Sequence, residues 1–160
     1  MSINLIPPNL LKTHWDAISA GAQEAGRTAD RGAWRVAREI FVAETGAEAR
    51  REALEGVMAR DFEQYFLRLL PKVGMLQLLK NDPDMADSDV TMDYLVDNVF
   101  IVGSVDEVAQ KLADLKGEIG DAKSFELTIR SGPDGNRNLL MTASDAGEAL
   151  RVTDLYDSMQ

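Results

Sequence analysis

Trp34-Arg-Val-Ala-Arg-Glu-Ile-Phe-Val-Ala-Glu-Thr-Gly-Ala-Glu48 carries two signals in one short run. Val36, Ile40, Phe41 and Val42 are β-branched or aromatic, which marks Trp34 to Ala43 as a strand. Thr45-Gly-Ala-Glu48 then has the spacing of a capping box, with Thr45 reaching the N3 amide and Glu48 reaching back. A helix therefore opens where the strand stops, and a strand feeding a helix is the repeating unit of an α/β fold. The helix is expected to be long, with Leu54, Val57, Met58, Phe62, Tyr65, Phe66 and Leu69 on one face until Pro71.

Upstream, Ser2 to Ile6 alternates apolar with polar and is stopped by Pro7-Pro8, which predicts a short strand. Asn9 is an N-cap for a helix with Leu11, Trp15, Ile18, Ala22 and Ala25 on its apolar face, ended by Gly26. Downstream, the acidic Asn81 to Asp89 segment with Pro83 is expected to be a surface loop, followed by a short amphipathic stretch through Met92, Leu95 and Val96. Ser104-Val-Asp-Glu107 is a second capping box, and Val105, Val108, Leu112, Leu115 and Ile119 make its helix amphipathic up to Gly120. Phe125-Glu-Leu-Thr-Ile-Arg130 alternates as a strand with one buried face. Ser131 to Asn138 contains Gly-Pro-Asp-Gly and turns the chain, Leu139 to Ala143 is a further strand, and Ala146 to Met159 a closing helix.

The order β-α-β-α-α-α-β-β-α predicts an α/β domain over residues 1–160, with a parallel sheet for at least the first three strands. A complete (β/α)8 barrel takes about 250 residues, and this chain has the strands of half of one at most. It is either a small open sheet or part of a barrel whose edges something else covers.

Composition narrows the function classes. The chain has 17 Lys+Arg against 27 Asp+Glu, a formal charge of −10. Phosphate backbones and anionic membranes attract clustered cations, so no nucleic-acid or membrane surface is expected. With 45% hydrophobic residues the chain can bury a core. It contains no cysteine, which removes disulfides, thiolate zinc sites and iron–sulfur clusters and fits a reducing cytoplasm. No apolar run approaches the roughly 18 residues that span a bilayer, and Met1-Ser2 leads into Ile3-Asn4-Leu5 without a basic signal-peptide region.

Residue by residue, little chemistry stands out. His14 is the only imidazole, and without a second His or a Cys it reads as a structural helix residue. The acidic run Asp82, Asp84, Asp87, Asp89, Asp93 lacks the Gly and the bidentate Glu of an EF-hand loop and reads as a solvated face. Met58, Met75, Met85, Met92 and Met141 are expected to fill core gaps. Gly103-Ser104 before a helix can offer amides to a phosphate, although the capping box already explains both residues.

Four strings resemble a family when taken in order. They are Trp34 to Thr45, Ala47-Glu-Ala-Arg50, Asp87-Ser-Asp-Val-Thr-Met-Asp-Tyr-Leu-Val-Asp97, and Phe100-Ile-Val-Gly-Ser-Val-Asp-Glu-Val-Ala-Gln-Lys-Leu112. Together they resemble the C-terminal part of the luciferase-like flavin-dependent monooxygenases, in the branch with limonene monooxygenase-like members, over residues 1–120. The resemblance implies a TIM-barrel flavoprotein that uses reduced FMN and oxygen to oxidise a small organic substrate, with a flavin reductase as partner. It makes this chain roughly the last three β/α units of a partial (β/α)8 barrel. The first strand would be the sixth of the barrel, Trp34 to Ala43 the seventh, and Leu139 to Ala143 the last.

Most flavin contacts and the usual catalytic His belong to the part of the family's fold that these residues do not cover. Residues 121–160 diverge, with Phe125 to Arg130 interposed as an extra C-terminal strand. Barrel logic puts any FMN-binding contacts at strand ends, which are Glu44, Thr45, Gly103, Ser104, Thr142 and Ser144. The resemblance thus implies part of a monooxygenase that is inactive as an isolated chain. The alternative is a non-catalytic truncated remnant, a self-associating or partner-binding α/β domain. An open sheet whose face carries Val36, Ile40, Val42, Leu127 and Ile129 also predicts a homo-oligomer, most simply a dimer, or a second chain that completes the barrel.

Overall fold

Residues 6–119, 124–129 and 139–142 are described by a computed structural model of the chain. Of the expected elements, the Ser2 to Ile6 strand apart from Ile6, the Ser131 to Asn138 turn and the Ala146 to Met159 helix lie outside these residues.

The Arg35–Ala43 strand (β1) is the centre of a four-stranded sheet ordered β2-β1-β3-β4, where β2 is Ile101–Ser104, β3 Ser124–Ile129 and β4 Leu139–Thr142. β1 runs parallel to β2 from Ile40↔Ile101 to Ala43↔Ser104, and parallel to β3 from Arg35↔Ser124 to Ile40↔Ile129. β4 pairs antiparallel with β3. The strands expected at Trp34 to Ala43, Phe125 to Arg130 and Leu139 to Ala143 therefore form, and the first two of them are parallel neighbours. Ile101–Ser104 is a strand that sequence reasoning missed. Its four residues end in Gly-Ser, too short a run for alternation to register, and its existence depends on the partner Ile40–Ala43.

Alternation along β1 sends side chains to two different covers. Val36, Ile40, Val42 and Ile101 pack with Val108, Leu112, Leu115 and Ile119 of the Val105–Ile119 helix (α6), and with Leu11 of the Leu11–Glu24 helix (α1). Ala43 and Val102 pack with Ala49 and Ala53 of α2 (Gly46–Glu55), Met58 and Ala59 of α3 (Val57–Asp61), and Leu95 of α5 (Met92–Asn98). Helices thus lie on both faces of the β1/β2 pair. Fully burying a side chain such as Ile40, Leu11 or Leu95 contributes about 1.5–3 kcal/mol each. The face expected to need a second copy as cover is thus covered within the chain: Val36, Ile40 and Val42 are buried by its own helices.

Local chemistry sets several element ends. α1 starts at Leu11, after a 3-10 turn over Pro8–Leu10, so Asn9 is not its cap. The Asn9 amide instead donates to the Asn81 carbonyl at 3.2 Å. Of the apolar stripe expected on α1, Leu11 is buried while Ile18 is exposed. Gly26 ends this segment with a φ of 67°, the left-handed conformation that favours glycine.

The helix expected to run from Thr45 to Leu69 is interrupted. Gly56 breaks it with a ψ of −157°, and a Cβ there would lie 2.5 Å from the Glu52 carbonyl oxygen. The chain resumes as α3, a π-helical turn over Phe62–Phe66 and the short α4 (Leu67–Leu69). Within the π-helical turn Tyr65 faces outward, whereas Phe62 stays buried against Phe100 with ring centroids 4.6 Å apart. Met58 and Met92 fill core gaps as expected, but Met75, just past the Gly74 turn, is exposed.

Cations hold the acidic segments. Arg50 of α2 binds Asp93 at 2.7 Å and also Asp97, tying α2 to α5. The buried Lys80 Nζ lies 2.6 Å from Asp87 and donates to the Met85 carbonyl. Lys111 donates to the Val102 carbonyl at 2.8 Å, which places a solvated charge beside edge strand β2. Among the described residues, no helix is long and apolar enough to cross a membrane, and no group of His, Cys, Asp or Glu could hold a metal ion.

Candidate functional site

The pairing Ala43↔Ser104 brings the C-terminal ends of β1 and β2 side by side, and a helix starts at each. Four of the six expected site residues, Glu44, Thr45, Gly103 and Ser104, meet there. Thr142 does not join them. β4 is antiparallel to β3, and its Thr142 end pairs with Glu126, which in turn sits opposite Ala37 in the N-terminal part of β1. Thr142 therefore lies at the other end of the sheet, on an edge strand. Ser144 lies outside the described residues.

Both helix starts are capped by their own residues. The Thr45 hydroxyl accepts from the Glu48 amide at 3.1 Å, as the capping box predicts. The Glu48 carboxylate, expected to reach back, lies 3.8 Å from Arg51 instead. At α6 the box closes in both directions. The Ser104 amide donates to the Glu107 carboxylate at 2.7 Å, and the Glu107 amide donates to the Ser104 hydroxyl at 3.4 Å.

Glu107 does more than cap its own helix. A Cβ on Gly103 would lie 2.8 Å from the Glu107 Cβ and 3.0 Å from its Oε2, and a Cβ on Gly46 would overlap its carboxylate. Gly103 near the end of β2 and Gly46 at the start of α2 therefore leave a notch, and the carboxylate of Glu107 occupies it. The amide hydrogen bond from Ser104 is the largest cause holding the Glu107 pKa below its ordinary 4.5, followed by the Ser104 hydroxyl. The group is ionised at neutral pH.

The same groups are the ones a flavin phosphate would use. A phosphate here would need the Ser104 amide and the positive ends of α2 and α6, and all of these already face a carboxylate. A second anion in the same notch would be repelled. Glu44 adds an exposed carboxylate nearby, and the Thr45 hydroxyl is engaged as a cap. At this end of the sheet the Ser104 amide and the notch are occupied by the Glu107 carboxylate.

Sequence reasoning missed two groups with chemical potential. Glu107 was legible as a cap but not as the neighbour of Gly46, which comes from another helix. Arg38 shares a face of β1 with Val36 and Ile40, where alternation places it toward the core. It is 2% exposed. Its Nη1 donates to the Ile6 carbonyl, while Nε and Nη2 have no partner. Burial lowers its pKa to about 10, so it remains charged at neutral pH. His14 on α1 is shifted below 6.5, first by burial and then by the charge of Arg38, and is neutral at pH 7.

Comparison with known proteins places the chain. Residues 1–122 match the luciferase-like monooxygenase family. The chain is 39% identical over 102 residues to 3,6-diketocamphane 1,6-monooxygenase of Pseudomonas putida, covering 64% of this chain and 27% of that protein. It is 34% identical over 108 residues to 2,5-diketocamphane 1,2-monooxygenase 2 of the same organism, with 66% and 30% covered. A solved type II Baeyer-Villiger monooxygenase is also similar, the oxygenating constituent of 3,6-diketocamphane monooxygenase from the CAM plasmid of Pseudomonas putida in complex with FMN. It superposes with a TM-score of 0.62 at 37% identity, over 71% of this chain and 31% of that one. The chain spans less than a third of the length of these relatives. On the match over residues 1–122, the chain belongs to the luciferase-like monooxygenase family.

Proposed function

We propose that this chain is the C-terminal portion of an FMN-dependent, luciferase-like monooxygenase that oxidises a small organic substrate with oxygen, and that it is inactive by itself. The carrying observation is the 37% identity to an FMN-bound oxygenase over 71% of this chain but 31% of the oxygenase. On this reading the chain forms roughly the last three β/α units of a (β/α)8 barrel. A second polypeptide region supplies the remaining units and most of the flavin pocket, and a separate reductase supplies reduced flavin. The cysteine-free composition fits the reducing cytoplasm such a system needs.

The notch filled by Glu107 supports the second half of the proposal, because the strand-end contacts of this chain are occupied by its own carboxylate. It equally favours the alternative of a non-catalytic α/β domain that binds a partner or itself. Flavin titration separates the readings. FMN should quench the protein's fluorescence weakly or not at all with this chain alone, and strongly when the chain is co-expressed with a polypeptide covering the rest of a family barrel. A stoichiometric, sub-micromolar FMN complex of the isolated chain would refute its dependence on a second region. Absence of flavin binding in the co-expressed pair would favour the non-catalytic domain.

A further inference from the structure

Among the described residues, the buried side-chain nitrogens and oxygens without a hydrogen-bond partner belong to a single group, Nε and Nη2 of Arg38. These two atoms form the side-on edge of the guanidinium, whose parallel N–H bonds match the spacing of two oxygens on a carboxylate or phosphate. Nη1 points elsewhere, to the Ile6 carbonyl. Arg38 stands at the middle of β1, on the face packed by α1 and α6. The titratable groups that act on it are His14 on α1, neutral at pH 7, and Glu118 on the last turn of α6, while Arg31 stacks over Trp15 in the same cluster. Glu118 is exposed and acts on Arg38 through space without a hydrogen bond.

Leaving a buried charge and two donors unmatched is costly, and buried polar groups are otherwise satisfied. Lys80 shows the contrast in the same molecule. It too is buried, but its Nζ meets both a carboxylate and a carbonyl. A cation left open at a site so well screened from water is arranged to receive something.

We propose that the Nε/Nη2 edge of Arg38 is a receptor for one oxyanion, a carboxylate or phosphate group taken up between β1, α1 and α6. This site lies on the opposite face of β1 from α2, and it does not depend on the flavin reading.

Trp15 and Trp34, the two tryptophans of the chain, pack in the same cluster and report on it. Sodium phosphate and sodium acetate are titrated separately against sodium chloride at matched ionic strength, with tryptophan fluorescence and Tm as readouts. The expected result is a saturable fluorescence change with phosphate or acetate that chloride does not give, and a Tm rise that Arg38→Gln reduces. A response to phosphate alone identifies a phosphate group as the ligand, and a response to acetate alone a carboxylate. Arg38→Gln, checked for folding by circular dichroism, should weaken that response at least about tenfold. Glu118→Gln, which removes a nearby negative charge, should tighten the midpoint by less than about tenfold.

Wild-type protein that responds to both anions no more than to chloride overturns the proposal, whether or not Arg38→Gln folds. A Glu118→Gln variant that binds more than about tenfold tighter also overturns it, because Glu118 is then the anion for which the edge is reserved.

Discussion

The carboxylate of Glu107 lies in the notch left by the missing side chain of Gly46, so the first turns of α6 and α2 meet through one charged group. Gly46 allows this close approach by lacking a side chain, and its backbone conformation is open to any residue. Glu107 joins three parts of the strand-end surface at once: the β2 terminus through the Ser104 amide, the α2 start through Gly46, and its own helix.

That contact predicts a weakly coupled pair. Gly46→Ala should cost no more than about 0.5 kcal/mol, because the new methyl group meets only the movable end of the exposed Glu107 side chain. In a Glu107→Ala background the same substitution should be nearly neutral. Urea melts of the four-protein cycle measure the difference, and a larger loss confined to the wild-type background would mean that the notch holds Glu107 rigidly.

Glu107 also sets an acid limb. Its pKa is lowered in the folded state, so its contribution is present above the unfolded value and is lost as pH falls through the folded one. Stability of the wild type should therefore drop as pH falls below about 4.5 more steeply than that of Glu107→Gln, which keeps an acceptor oxygen but cannot titrate. Parallel curves for the two proteins would remove Glu107 from the acid transition.

The two caps should differ in strength. Thr45→Ala removes a hydrogen bond of 3.1 Å and should cost about 1 kcal/mol. Ser104→Ala removes a bond of 3.4 Å and leaves the Ser104 amide on Glu107, so its cost should be less than half as large. Thermal melts of the two variants rank them directly, and a larger loss for Ser104→Ala would reverse the assignment of the stronger cap.

His14 should act as a modest acid destabiliser. Burial and the charge of Arg38 lower its pKa below 6.5, so protonation is resisted in the fold, and the stability it contributes at pH 7 is lost as pH falls past the folded value. His14→Asn should flatten the stability curve between pH 7 and pH 5. A chemical-shift titration of the imidazole giving a midpoint at or above 6.5 would show that the Arg38 charge does not reach it.

Much of this protein is written locally. The β-branched run of β1, the capping boxes at Thr45 and Ser104 and the alternation of β3 each rest on residues within a few positions of one another, so neighbouring residues alone specify them. The strings that mark the family are of the same local kind. What the sequence could not state were relations across the chain. β2 is a strand because Ile40 to Ala43 offers it a parallel partner, and Thr142 stands away from the other strand ends because its strand pairs antiparallel. The π-helical turn over Phe62–Phe66 left Tyr65 outside the expected apolar stripe, and packing by α6 covered the Val36 and Ile40 face that looked open. Hydrogen bonds that close over three or four residues are fixed by composition and spacing. Register, strand direction and the partner of a buried charge such as Arg38 are chosen only when distant segments compete for the same face of a sheet.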